Sequence, residues 1–132
     1  MKSINVTNYL LVLLGLLFFA VGSAFGQSFV SNEGFVNKIA KDIVVVEFWV
    51  EWNSSNEFSD INKLKDCDVY RVDIGKDSKL QQIHNVSAVP TLIIFENGNE
   101  KERFKPNIMF QLDVDKKTIQ HSIDTLILNR FQ

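Results

Sequence analysis

The sequence predicts a single α/β domain, with a central mixed sheet and helices on both faces, after an N-terminal signal peptide. Three observations predict this fold class. The run Ile43–Val50 is apolar except for Glu47, as expected of a strand buried on both faces of a sheet. Strand-like and helix-like segments alternate around it, which favours parallel pairing through right-handed crossovers. Asn97-Gly98 lies between two later strand-like runs and is typical of a tight hairpin, which adds an antiparallel pair.

Residues 1–26 have the pattern of a secretory signal peptide. Lys2 supplies a positive start, Leu10–Phe25 is almost unbroken apolar sequence, and Ala24-Phe25-Gly26 places small residues at a cleavage site. The apolar run is shorter than the roughly 20 residues that span a bilayer, although an uncleaved anchor is the alternative. We therefore expect an exported domain over residues 27–132 that is periplasmic, secreted or envelope-associated.

Composition limits the classes of partner. The net charge of −2 argues against nucleic acid, and the absence of a run of basic residues argues against a membrane-surface role. A membrane partner is expected only if the N-terminal segment stays uncleaved. His84 and His121 are too few for a metal site, and the sequence predicts no cofactor.

Cys67 is the only cysteine of the chain. A single cysteine cannot form an internal disulfide, so the domain must be stable through packing alone. Two alternatives remain for this residue. It is a small packed side chain, or a free thiol that could pair with another chain.

The first half of the domain predicts a strand, a helix, a strand and a helix in that order. Phe29-Val30 can form an edge strand, and Glu33–Lys41 a helix that Ser31 or Asn32 caps. After the central strand, a second helix is predicted over 55–65, because Ser54 and the glutamate three positions later form a capping-box pattern. The predicted apolar faces are Phe35, Val36, Ile39 and Ala40 in the first helix, and Phe58, Ile61 and Leu64 in the second.

The second half predicts three more strands and two helical segments. The strands are Val69–Ile74, Leu92–Phe95 and Glu100–Phe104. Asp77-Ser78 opens a short helical turn that contains Leu80 and Ile83. Asp115 can cap a final helix to about Arg130, whose apolar stripe is Ile119, Ile123, Leu126 and Ile127.

This order of elements and its local motifs resemble the thioredoxin family over essentially the whole mature chain. Val46–Trp52 resembles the active-site strand of the family, and Val89-Pro90-Thr91 resembles its cis-proline loop. Phe95–Gly98 matches the hairpin that follows that loop. The resemblance implies the thioredoxin fold and, for its typical members, thiol–disulfide exchange.

The sequence departs from the family at the redox site itself. The family carries Trp-Cys-Gly-Pro-Cys, whereas Trp52 is followed here by Asn53, Ser54, Ser55 and Asn56. Disulfide exchange requires a thiolate, and a carboxamide cannot replace it. The reductase or isomerase activity of the family is therefore not expected, and the sequence predicts no catalytic residue in this degenerate site.

Two interpretations remain for each polar group at this corner. The resemblance places Glu47 at the buried acid of the family, which would either still move protons through a raised pKa or be held inert by a hydrogen bond or a water. The segment Asn53–Asn56 would either bind a carbonyl or anion at a helix N-terminus, or only cap the helix. Asn53 and Asn85 also begin glycosylation sequons.

The resemblance also implies a groove for extended peptide beside the cis-proline loop. The backbone of Val89 would pair with the peptide, Trp52 would anchor it, and Pro90 and Thr91 complete the predicted binding residues. The apolar segment Ile108–Phe110 either covers this groove or forms an exposed patch for a partner.

The predicted function is thus an exported, redox-inactive module that binds a protein or an extended peptide. The first alternative is a structural subunit of an envelope complex, attached through Ile108–Phe110 or an uncleaved N-terminal helix. The second is an enzyme that acts through Cys67 or Glu47. The third is that the chain would be called a thioredoxin-family oxidoreductase on similarity alone.

Overall fold

The structure, a computed structural model, describes residues 29–132, so the predicted signal peptide lies outside the described residues. Within this part of the chain one mixed sheet contains the strands β1 (Ile43–Trp49), β2 (Asp68–Asp73), β3 (Thr91–Glu96) and β4 (Asn99–Phe104). Their spatial order is β2-β1-β3-β4. β1 pairs in parallel with β2 and antiparallel with β3, and β3 pairs antiparallel with β4.

β1 is the centre of the sheet. Its first six residues are buried because strands flank it on both sides and packed layers cover both faces. This explains the apolar run and confirms the predicted central strand, which ends one residue earlier than predicted. The only ionisable side chain in β1 is Glu47, and it is fully buried.

Helices lie on both faces of the sheet, as predicted. On one face, α1 (Asn32–Ile39) and α2 (Ser78–Ile83) pack against alternate residues of β1 such as Val44 and Val46. On the other face, α3 (Lys116–Asn129) buries Ile119 and Ile123 against the intervening positions. The alternation follows from the two-residue period of a strand.

The predicted apolar face of α1 is only half correct. Phe35 and Ile39 are buried one helical turn apart, whereas Val36 is 71% exposed and Ala40 is exposed at the end of the helix. A single i, i+4 pair faces the sheet in this short helix, so the neighbouring apolar residues point elsewhere.

The predicted second helix over 55–65 is wrong. Two 3₁₀ segments, Glu51–Asn56 and Ile61–Lys63, stand in its place, and Glu57 between them is extended with φ −59° and ψ 151°. Ser54 makes no capping-box bond, because Glu57 does not lie in a helix. The spacing of three in Phe58, Ile61 and Leu64 also suits 3₁₀ turns, in which residues i and i+3 eclipse.

The hairpin and the last helix have the predicted local structure. Asn97 and Gly98 adopt φ values of +49° and +84°, as a two-residue turn with a positive φ at both positions requires. The Asp115 carboxylate accepts a hydrogen bond from the Thr118 N–H at 2.8 Å and so caps α3. None of the helices in residues 29–132 is both long and apolar enough to cross a bilayer.

Candidate functional site

The candidate site lies where the chain leaves the carboxyl end of β1. The first 3₁₀ segment begins directly after this strand and carries Trp52 through Asn56. The cis Val89–Pro90 peptide bond precedes β3, at the same end of the sheet. A loop over residues 107–111 lies across both segments, and we call it the 107–111 loop.

Asn53 joins these three segments. Its side chain is only 6% exposed. Its Nδ2 donates hydrogen bonds to the Val89 backbone oxygen at 3.2 Å and to the Phe110 backbone oxygen at 3.1 Å. Both hydrogens of the amide are therefore used, and Asn53 has no donor left for a ligand.

The amide bonding continues outward from Asn53. Asn56 Nδ2 donates to Asn53 Oδ1 at 2.8 Å, and Gln111 Nε2 donates to Asn56 Oδ1 at 3.3 Å. The two asparagines therefore cap no α-helix, because the chain here is a 3₁₀ segment. The predicted anion site at a helix N-terminus has no helix to supply it, and Ser54 and Ser55 are exposed.

The 107–111 loop is held by its first residue. The Asn107 Oδ1 accepts the backbone N–H of Met109 at 2.8 Å and that of Gln111 at 3.1 Å. The backbone N–H of Asn107 donates to the Gln111 oxygen at 2.8 Å, and its Nδ2 donates to both Asp113 carboxylate oxygens. These bonds fix a tight turn, in which Phe110 adopts a φ of +55°.

Four apolar side chains of these segments face solvent together at this corner. Phe110 lies edge-on to Trp52, with ring centroids 5.6 Å apart. Trp52 is 68% exposed, Ile108 94%, Met109 66% and Phe110 46%. We call this surface the Trp52 patch, formed by Trp52, Ile108, Met109 and Phe110.

The other predicted binding residues are less accessible. Val89, Pro90 and Thr91 are buried, and the Thr91 hydroxyl donates to the Ala88 oxygen at 2.7 Å. The Val89 carbonyl, which the resemblance implies for peptide pairing, already accepts the Asn53 amide. The structure thus brings Trp52 and the proline loop together, but the 107–111 loop contacts the same corner.

Glu47 lies beneath the site in a buried ion pair. Its two carboxylate oxygens accept the Phe58 N–H and the Arg71 Nε, each at 2.6 Å. Arg71 Nη2 donates to the Phe58 oxygen at 3.1 Å, and its Nη1 lies 3.3 Å from Glu57. Burial raises the pKa of Glu47 above its ordinary value, and the bonds from Phe58 and Arg71 oppose that rise. Both carboxylate oxygens of Glu47 therefore bond to Phe58 and Arg71, and neither bonds to Asn56.

Arg71, Asn107 and Gln111 were not among the residues predicted for the site. The sequence did contain a signal for Arg71, because Glu47 is an acid within the apolar strand β1 and Arg71 is a base within the strand β2. Glu47 and Arg71 are direct partners in the parallel register of β1 and β2. No comparable local signal marks Asn107 or Gln111, because their partners lie in the loop itself and in the distant Asn56.

Cys67 lies at the other end of the sheet. It precedes β2, whose first residue pairs with Val44, whereas the site follows Trp49 at the far end of β1. Five residues of strand place the two regions roughly 17 Å apart. Burial, together with the nearby Asp68 and Asp66 carboxylates, raises the pKa of Cys67 to about 12.

The two histidines are separated. His84 packs among Phe35, Phe48 and Phe95, and His121 lies exposed on α3. Within residues 29–132 no group of three or more metal-ligating side chains is close enough to hold an ion.

Comparisons with known proteins point to one family. The family model described as Thioredoxin matches residues 27–121. A thioredoxin of Chlamydia pneumoniae is 35% identical over 80 residues, which is 56% of this chain and 78% of that protein. A thioredoxin of Chlamydia trachomatis is 31% identical over the same shares of the two chains.

Solved structures show the same fold. A thioredoxin of Malassezia sympodialis superposes with a TM-score of 0.58 at 23% identity, over 75% of this chain and 90% of that one. A mutant thioredoxin from Halobacterium salinarum superposes with a TM-score of 0.60 at 19% identity, over 75% of this chain and 88% of that one.

Proposed function

The chain belongs to the thioredoxin family, and we propose that it is an exported, redox-inactive member that acts as a protein- or peptide-binding module. Asn53 and Asn56 occupy the positions at which the resemblance places the two redox thiols. A carboxamide is not a nucleophile toward a disulfide. Cys67, the one thiol of the chain, is about a strand length away and lies beside two carboxylates.

An insulin-reduction assay with dithiothreitol tests the redox part of this proposal. Insulin should precipitate no faster with residues 27–132 and dithiothreitol than with dithiothreitol alone. An active thioredoxin is the positive control. Catalysed reduction would overturn the proposal. If such activity disappeared in Cys67→Ser, it would belong to Cys67, the one thiol of the chain.

The observation that carries the binding part is the Trp52 patch. Four large apolar side chains are exposed on two segments that meet at the Trp52–Phe110 contact, and such clusters mark interaction sites more often than single exposed residues do. Aromatic residues are enriched among those that dominate binding energy. Three of the four side chains sit on the 107–111 loop, which its own hydrogen bonds hold in place, so little ordering of this loop is needed when a partner binds.

The occupied Val89 carbonyl affects how a peptide would bind. An extended peptide that pairs with this residue would either share the oxygen with the Asn53 amide or displace that amide, because a carbonyl oxygen has two lone pairs. We therefore propose that the partner contacts the Trp52 patch first. Strand pairing at Val89, with Pro90 and Thr91 behind it, becomes easier if the bond from Asn53 breaks.

Affinity capture after crosslinking in native cells tests the surface. The bait variants are Trp52→Ala and Met109→Ala, with Phe131→Ala as the matched control, because Phe131 is also exposed but lies at the C-terminus. A partner lost from both patch variants and kept by the control supports the proposal. A partner kept by both patch variants would move the interface elsewhere.

The Asn53→Ala variant separates the two binding modes in the same experiment. If the partner pairs with Val89, freeing that oxygen should increase capture. If the partner uses only the Trp52 patch, capture should stay level or fall as the 107–111 loop loosens. Failure to capture any partner would count against the binding module altogether.

Export is a separate part of the proposal. Mass spectrometry of the mature N-terminus should find Gln27 as the first residue if the signal peptide is removed. An intact N-terminus in a membrane fraction would instead favour the anchored envelope subunit. Capture and N-terminal mass together therefore separate a free module from a subunit.

A further inference from the structure

Four lysines from two separate segments line one pocket. Lys63 and Lys65 come from the chain between the first 3₁₀ segment and β2, and Lys116 and Lys117 begin α3. The pocket has a volume of about 330 Å³ and is open to solvent. We call it the lysine pocket. It shares no residue with the Trp52 patch.

Hydrogen bonds hold the two segments together. The Gln120 Oε1 accepts the Lys65 backbone N–H at 2.8 Å, and its Nε2 donates to the Lys65 backbone oxygen at 3.1 Å. This two-way pairing ties the lysine-bearing loop to the second turn of α3. The four charges are therefore brought together by the fold.

The positive charge is only partly balanced. Lys63 forms an ion pair with Asp60 at 2.7 Å, and the Asp124 carboxylate accepts a hydrogen bond from Gln120 at 2.9 Å. Among residues 29–132, Lys65, Lys116 and Lys117 take part in no salt bridge. The four lysines outnumber the nearby carboxylates of Asp60, Asp115 and Asp124, so positive charge is in excess here on a chain whose net charge is −2.

The placement of Lys116 and Lys117 is also unfavourable for the helix. Both lysines lie in the first turn of α3, at the positive end of the helix dipole, and the only acidic group at that end is the N-cap carboxylate of Asp115. Lysines are usually found at the opposite end, where they stabilise a helix. The Asp115 carboxylate offsets part of this repulsion, and an anion in the pocket would offset more of it.

We propose that the lysine pocket binds a phosphate-bearing anion. Lysine ammonium groups act as point charges toward phosphate, and several of them can surround a group that carries two or more negative charges. Either a soluble phosphate compound or a phospholipid headgroup presents this chemistry. The proposal does not depend on the proposed binding function of the Trp52 patch.

Titration with pyrophosphate and flotation with phosphatidylglycerol vesicles test the two sources. Both use residues 27–132, which contain the whole described domain. The variant is Lys116→Gln/Lys117→Gln, and the matched control is Lys41→Gln/Lys79→Gln, because those two lysines are exposed and lie outside the lysine pocket. Both variants lose the same charge.

Binding should weaken roughly fivefold or more for each pocket lysine removed, and it should weaken further as salt is raised. The control variant should bind like the unmodified chain. Thermal unfolding gives a second readout, since pyrophosphate should raise the melting temperature of the unmodified chain and not that of the pocket variant.

The outcomes separate the two sources and decide the proposal. Pocket-dependent binding of pyrophosphate without vesicle binding assigns a soluble phosphate ligand, and pocket-dependent vesicle binding alone assigns a headgroup. Absence of binding to both probes would overturn the proposal. So would binding that the pocket and control variants weaken equally, because it would reflect net charge alone.

Discussion

The side-chain amide of Asn53 donates a hydrogen bond to the backbone oxygen of Phe110, 57 residues later, at 3.1 Å. The same nitrogen holds the Val89 oxygen. One buried asparagine therefore fixes the 107–111 loop to the corner that the resemblance identifies with the redox site. This asparagine, at the position where the resemblance expects a redox cysteine, holds two other segments in place through its amide, which is consistent with its burial.

Replacement of Asn53 by alanine should loosen this corner. The buried Val89 oxygen and the partly buried Phe110 oxygen lose their donor, which should lower the free energy of unfolding by about 1–3 kcal/mol. Hydrogen exchange of the amides of Met109 through Gln111 should accelerate, because the loop loses its attachment. Urea denaturation and exchange mass spectrometry measure the two effects.

Ser54→Ala is the control for this change. Ser54 is the exposed neighbour of Asn53 in the same 3₁₀ segment, so neither stability nor exchange should change. Unchanged exchange over 107–111 in Asn53→Ala would contradict the attachment of the loop through Asn53.

The buried ion pair of Glu47 and Arg71 should show strong coupling. Arg71→Met alone leaves a buried carboxylate without its charge partner and should cost about 3–5 kcal/mol. The double variant Glu47→Leu/Arg71→Met should lose clearly less than the sum of the two single variants, because no charge is left unpaired. A double-mutant cycle by urea denaturation measures the coupling.

The pair of Asp60 and Lys63 provides the comparison. The Lys63 side chain is 68% exposed and that of Asp60 37%, so the same cycle on this pair should show much weaker coupling. Additive losses for Glu47 and Arg71 would show that their attraction is not what holds this part of the core.

The strands, the hairpin and the last helix were predictable because their signals are local. Each signal determines the structure of residues only a few positions away. The signals are the apolar run of β1, the Asn97-Gly98 dipeptide and the Asp115 cap. The helices on both faces then follow from the alternation of buried residues along the strands.

The predicted helix over 55–65 fails because distant side chains take the backbone groups it needs. The Phe58 N–H bonds to Glu47, and the Phe58 oxygen accepts Arg71. The Phe58 N–H is then not available for a helical hydrogen bond, and the Phe58 oxygen also accepts the Ile61 N–H of a 3₁₀ turn at 3.2 Å. The chain turns through two 3₁₀ segments instead. A tertiary ion pair thus overrides a local capping-box pattern.

The position of the 107–111 loop at the site could not be predicted from local patterns either, because the contacts that hold it join residues far apart in the sequence. The bonds of Asn53 reach residues 36 and 57 positions away. From the sequence, Ile108–Phe110 could be predicted to be apolar and close to the groove. It could not distinguish a cover from an exposed patch, and the structure shows that the segment contacts Asn53 through its backbone while its side chains face solvent.

Cys67 should react slowly in the folded chain. Its pKa of about 12 leaves far less thiolate at pH 8 than an ordinary cysteine has, by a factor on the order of a thousand. Iodoacetamide should therefore modify the native chain much more slowly than the chain in urea. Mass spectrometry against time measures both rates. Equal rates would contradict the burial of the thiol and favour the alternative in which Cys67 pairs with another chain.

His84 should make the fold less stable in mild acid. Its ring lies 4.9 Å from the ring of Phe35 and 5.5 Å from that of Phe95. Burial lowers the pKa of His84, and Arg103 adds to this effect while Glu100 opposes it. The unfolded chain then binds a proton more readily than the folded chain. The free energy of unfolding should therefore fall as the pH drops below about 6.5, the ordinary histidine pKa.

The expected shift is measured as the difference in melting temperature between pH 7.5 and pH 5.5, with and without His84→Phe. The variant should lose the part of the acid destabilisation that His84 causes, whereas His121→Asn, at an exposed position of α3, should retain it. Glu47 contributes with the opposite sign, because a raised acid pKa favours the folded state as the pH falls. It is present in all three chains, so the comparison isolates His84. An unchanged pH dependence in His84→Phe would show that the aromatic cluster accepts the imidazolium without cost.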